Sequence, residues 1–128
     1  KFVPSRFVTK PKSSDVCQIR CFNTDLVTQV NESLPGDEIL ADAQVLFGAL
    51  ADKSRLKILH ALSHDQELCV CDVATMLGVT IASASHHLRK LRDLKILQYR
   101  NDGKLAYYSL RDQRVAEILH HALNQLIR

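Results

Sequence analysis

Apolar residues recur at three- and four-residue spacing over most of this chain, and that period predicts helices. The segment 24–33 (TDLVTQVNES) reads as a short helix capped at Asn23 or Thr24 and stopped by Pro35 and Gly36. In the segment 37–51, Ile39, Ala43, Leu46, Phe47 and Leu50 fall on one face, with Asp37 and Glu38 at the positive end of the helix. The segment 53–62 offers Leu56, Ile58, Leu59 and Leu62 for burial. A helix over 69–77 ends at Gly78, a residue suited to the left-handed cap conformation, and Thr80 caps a helix over 81–94. Val73, Ala74 and Leu77 on the first would face Ala84, Leu88 and Leu91 on the second. Two short helices joined by a tight glycine turn make a helix-turn-helix. The helical period then gives way to two strand-like runs, ILQYR and KLAYYSL, around Asn101, Asp102 and Gly103. Asp-Gly between such runs signals a hairpin, and a hairpin directly after a recognition helix is a wing. A last helix over 112–127 carries Val115, Ile118, Leu119, Ala122, Leu123 and Leu126 as a wide apolar stripe. The expected fold is mainly α with a small β-hairpin, a winged helix-turn-helix.

Composition narrows the class. A chain of 128 residues, 46% hydrophobic with four Gly and no Trp, suits one mainly helical domain. Residues 1–16, with Pro4, Pro11 and KPKSSD, read as a flexible tail, and residues 17–128 as the domain with an N-terminal arm. No apolar run reaches the roughly 20 residues needed to span a bilayer, and no signal-peptide pattern opens the chain, so a cytoplasmic location is expected. The helices over 37–51 and 112–127 are more apolar than one small domain can cover, which points to a homodimer; the plainer alternative is that both close the monomer core.

The net charge of +3 says little until it is placed. Between Thr80 and Tyr108 lie Arg89, Lys90, Arg92, Lys95, Arg100 and Lys104 against only Asp93 and Asp102. That concentration is the footprint expected of a nucleic-acid partner. The first turns of a recognition helix reach base edges in the major groove, and here they present Thr80, Ser83, Ser85, His86 and His87. Arg89 and Lys90 stand where phosphates would be met, and Arg100 and Lys104 flank the wing tip. A solvated basic face is the alternative. A twofold dimer would hold two recognition helices about one helical turn apart, so double-stranded operator DNA with an inverted repeat is the expected partner.

The four cysteines fall in two pairs, Cys17 with Cys21 and Cys69 with Cys71. In a reducing compartment such spacing favours metal binding over disulfides. Thiolates select Zn2+, Cd2+, Pb2+ or Cu+ over Mg2+ and Ca2+, and the shortlist is Zn2+, Cd2+ and Pb2+, with Cu+ or Ag+ behind them. Within a regular helix Cys69 and Cys71 would point about 200° apart. They converge only at a helix start, where the first residue is still outside helical geometry and the dipole favours thiolates. Burial as small apolar residues is the alternative for this pair, but it does not account for Cys17 and Cys21 beside a polar tail.

These residues resemble the ArsR/SmtB metal-sensing repressors, strongly over about 49–110. ALADKSRLKILHAL resembles the family's signature helix, and ELCVCDVATMLGVTIASASHHLRKL its metal-box and recognition helices in sequence. With Cys17-x-x-x-Cys21 upstream, ELCVCD is similar to the cadmium- and lead-sensing CadC branch. The resemblance implies a homodimeric repressor released from its operator by metal. It also implies that Cys17 and Cys21 reach Cys69 and Cys71 of the other protomer. The family's second site, Asp-x-His with His-x-x-Glu on the terminal helix, is matched only by Asp112. Arg114, Gln125 and Arg128 stand at its other positions, and arginine is no ligand at neutral pH. His120 and His121 are out of register, and Glu117 with His121 offers at most an opportunistic pair. A thiol-redox switch is the competing regulatory reading. A metalloenzyme is disfavoured because saturated thiolate ligation leaves no open position for water.

Overall fold

Four helices begin on a short polar side chain that accepts one of the backbone N–H bonds a helix start leaves unpaired. Asn23 accepts from Leu26, Asp52 from Arg55, Thr80 from Ser83 and Asp112 from Arg114, at 3.0–3.1 Å. The computed structural model describes residues 23–127, so the tail over 1–16 and the pair Cys17 and Cys21 lie outside the described residues. The chain divides into two units at Gly36. The first holds α1 (Thr24–Ser33), a helix whose residues are all exposed.

The second unit holds α2 (Asp37–Leu50), α3 (Lys53–Leu62), β1 (Leu68–Cys69), α4 (Val70–Leu77), α5 (Ile81–Asp93), β2 (Leu97–Asp102), β3 (Leu105–Leu110) and α6 (Gln113–Leu126). Ile58, Leu59, Leu62, Val73, Leu88, Leu91, Leu97 and Val115 are the largest fully buried side chains. The core therefore sits where α3, α4, α5, α6 and the sheet meet, and it uses the periodic apolar residues of each. α2 contributes Ala49, with Leu46 and Leu50 packed partly against the rest.

Three features depart from the expected elements. A two-residue strand, β1, precedes α4, and the sheet order is β1-β3-β2, all antiparallel. Cys69 thus belongs to a strand, and the helix begins at Val70. The hairpin closes one residue later than read from Asn101–Gly103. Asp102 pairs with Leu105, which leaves Gly103 and Lys104 as a two-residue loop. Gly103 has φ +64°, and glycine at the first central position is what a type II′ hairpin needs. Finally, Ile39 and Phe47, placed on the apolar face of their helix, are 62% and 56% exposed.

Candidate nucleic-acid interface and metal centre

The helix-turn-helix turns at Gly78, which has φ +68° and ψ +38° and closes α4 with its N–H on the Ala74 and Thr75 carbonyls. A side chain here would be strained by its Cβ, so glycine fixes the angle at which α5 leaves. Ala84, Leu88 and Leu91 bury one face of α5. The opposite face presents Ile81, Ala82, His86, Arg89 and Lys90 to solvent, with Ser83 and Ser85 half-buried on its flanks. Thr80 is exposed, and its hydroxyl oxygen accepts the Ser83 N–H at 3.1 Å. His87 is half-buried and close enough to Asp52 to act on that carboxyl. The Arg55 backbone N–H is the main cause holding Asp52 below the ordinary carboxylate range.

The cations divide into two groups. Among the described residues Arg89, Lys90, Lys95 and Lys104 form no salt bridge, whereas Arg92 and Arg100 are engaged. Arg92 reaches Asp93 at 3.2 Å and lies over the Tyr99 ring at 5.4 Å. Arg100 grips Glu67 through Nε, 2.8 and 3.0 Å from the two carboxylate oxygens, and through Nη2 at 2.8 Å. Its guanidinium sits 5.0 Å from the centre of the Tyr107 ring. The hydrogen bond from Arg100 holds the Glu67 carboxyl below its usual range, and Glu67 in turn raises Arg100. Sequence reasoning did not single out Glu67 or Tyr107. The alternation Glu67-x-Cys69 in a would-be strand was the only available signal.

Cys69 and Cys71 are both free thiols, the first buried and the second exposed. Cys69 is the N-cap of α4, with extended backbone at φ −83° and ψ 169°. Its N–H donates to Asp72 Oδ2 at 3.2 Å, the reciprocal arm of a capping box. The two thiols therefore straddle a helix start rather than occupying two positions of a regular helix. Among the described residues no group of three or more His, Cys, Asp or Glu side chains is gathered to hold a metal ion. On α6, Asp112 and Arg114 pair with each other at 2.7 and 2.9 Å, so the Arg114 guanidinium occupies the Asp112 carboxylate.

A glycine-turned helix pair, a cationic recognition helix and a hairpin behind it define a winged helix-turn-helix transcriptional regulator. Residues 52–99 match the family described as "Bacterial regulatory protein, arsR family". The chain is 42% identical over 110 residues to the cadmium resistance transcriptional regulatory protein CadC homolog of Staphylococcus aureus, covering 86% of this chain and 90% of that one. Among solved structures it is similar to the AntR antimony-specific transcriptional repressor, with TM-score 0.68 and 32% identity over 73% of this chain and 85% of that one. It is also similar to the homodimeric winged helix-turn-helix DNA-binding domain of a possible ArsR-family regulator from Mycobacterium bovis. That match has TM-score 0.60 and 28% identity, over 74% of this chain and 88% of that one. The chain belongs to the arsR family of bacterial regulatory proteins.

No helix among the described residues is long and apolar enough to cross a membrane.

Proposed function

We propose that this chain is a homodimeric, cytoplasmic repressor that binds inverted-repeat operator DNA and leaves it when a thiophilic cation is bound. Cys17, Cys21, Cys69 and Cys71 are the proposed ligands, and Zn2+, Cd2+ or Pb2+ the proposed inducers, ahead of Cu+ or Ag+. The observation that carries the reading is the position of Cys69. It is a free thiol at the last non-helical residue before α4, and α4 leads through Gly78 into the recognition helix. The donor set fits a soft cation: both thiols are free, Cys71 is exposed, and thiolate sulfur is a soft ligand.

DNA contact is assigned to the exposed side of α5 and to the wing. His86 and Thr80, with Ser83, Ser85 and His87 at the flanks, face base edges. Arg89 and Lys90 take phosphates, and Lys104 at the wing tip and Arg100 behind it extend that track. The exposed apolar residues Ile39, Phe47 and Leu126 support a second copy as the partner of α2 and α6. Regulation is a linkage. If the cation is held better in the geometry that binds DNA less well, each ligand weakens the other, and a coupling of about 1–3 kcal/mol corresponds to roughly 5–150-fold.

An operator-release titration with each cation at fixed salt tests this, using the wild type and the four Cys→Ser variants. Cys69→Ser and Cys71→Ser should bind DNA and ignore the cation. Release of these variants at wild-type concentrations would sink the ligand assignment. The exposed Cys71 also admits a thiol-redox switch, which predicts release by peroxide without metal and recovery with a reductant.

A further inference from the structure

One row of side chains crosses the sheet from a proposed ligand to the wing. Cys69 on β1 stands opposite Tyr107 on β3, and Tyr107 stands opposite Arg100 on β2. Directly opposed residues of an antiparallel pair project to the same face, so the three form a line. Glu67 precedes Cys69 by two residues, the strand repeat, and it holds Arg100 in a fork while Tyr107 lies against the guanidinium. Arg100 is thus held by a ring on the central strand and by a carboxylate next to β1.

The pair is exposed, with Arg100 54% and Glu67 37% accessible, so it adds little to stability. It has a different chemical consequence. A phosphate takes arginine in the same two-point fork that a carboxylate does. The Nε–Nη2 edge that grips Glu67 is not available to DNA, and Nη1 lies 3.9 Å from Asp102.

We propose that Glu67 is a positioning residue that competes with a DNA phosphate for Arg100, and that binding of a cation at Cys69 tips this competition toward Glu67. The inference rests on the metal-responsive reading above and deepens it. Ligation through Cys69 fixes β1 against β3 and so holds the neighbouring carboxylate over the wing arginine. DNA that captures Arg100 frees Glu67 and loosens the same strand, as reciprocal coupling requires.

The test uses the full chain as wild type, Glu67→Gln, Arg100→Gln and the double variant. The probe is an inverted-repeat duplex selected by the wild type from random duplexes. Affinity is measured without metal across a KCl series, then with Cd2+. Metal-free Glu67→Gln should bind several-fold tighter, and its log affinity should fall more steeply with log salt, by about 0.9 for each added phosphate contact and so about 1.8 for the two wings of a dimer. Cd2+ should release it less. The double variant should match Arg100→Gln in every measurement, because without Arg100 the carboxylate has nothing to withhold.

A wild-type salt slope in Glu67→Gln overturns the competition. So does a gain in affinity that survives in the Arg100→Gln background, since that would be general charge repulsion. A steeper slope with an unchanged Cd2+ response overturns the coupling to metal. Failure of Zn2+, Cd2+ and Pb2+ to release the wild type would instead sink the proposed function, and the metal-free salt series would still judge Glu67 against Arg100.

Discussion

Helices α2 and α5 are nearly equal in length, yet they use their apolar residues in opposite ways. α5 is rich in polar and basic residues, and buries Ala84, Leu88 and Leu91. α2 is far more apolar, and buries only Ala49 while Ile39, Leu40, Val45 and Phe47 are exposed. The difference separates two jobs. The recognition helix is anchored from below by a few fully enclosed side chains and spends its remaining surface on polar chemistry. The flanking helix holds apolar surface in reserve, which is the physical signature of an association face.

The largest effect that could break this contrast is in the core. Leu88→Ala should destabilise the fold by about 2–5 kcal/mol, read from urea unfolding. Phe47→Ala should shift the monomer's unfolding far less, and equal losses would mean that α2 is as enclosed as α5. Next, Phe47→Asp should weaken self-association at least about tenfold, roughly 1.4 kcal/mol, in sedimentation at dilute concentration. Unchanged association would remove the reserve-surface reading. Thr80→Ala, which strips the cap of α5, should cost about 1 kcal/mol, since the Ser83 N–H loses its acceptor. The smallest effect concerns α6, the other flanking helix.

The Arg114 side chain, followed by the Arg114 backbone N–H, holds the Asp112 carboxyl below its ordinary range. A depressed carboxylate adds stability that is present above the unfolded-state value of about 3.9 and is lost as pH falls through the folded one. Asp112→Asn should therefore show a shallower loss of urea midpoint between about pH 5 and 2 than the wild type.

Much of this was legible in the chain because local rules carried it. The helical period placed every helix among the described residues, Thr80 marked a true cap, Asn23 is the cap of the two candidates offered for α1, and Gly78 marked the left-handed turn. What local rules could not carry was pairing at long range. β1 exists because Leu68 and Cys69 meet Tyr108 and Tyr107, and a two-residue strand has no period of its own. The grip of Arg100 on Glu67 joins residues 33 apart and is equally silent in sequence. Cys69, read as lying outside helical geometry, has an extended backbone, with its side chain buried and that of Cys71 exposed. The half-burial of His87 depends on tertiary packing, which the period alone does not specify.

Cys69 ends a strand and caps a helix in the same residue, and this has a consequence for how such a regulator can diversify. Both elements assigned to DNA connect to that residue, the recognition helix through α4 and the wing through the pairing of β1 with β3. On the proposed reading, inducer preference and fold integrity are partly separable traits. By the same reading, the exposed donor at Cys71 can be exchanged or lost over evolutionary time while the interior, which includes the buried Cys69, stays untouched.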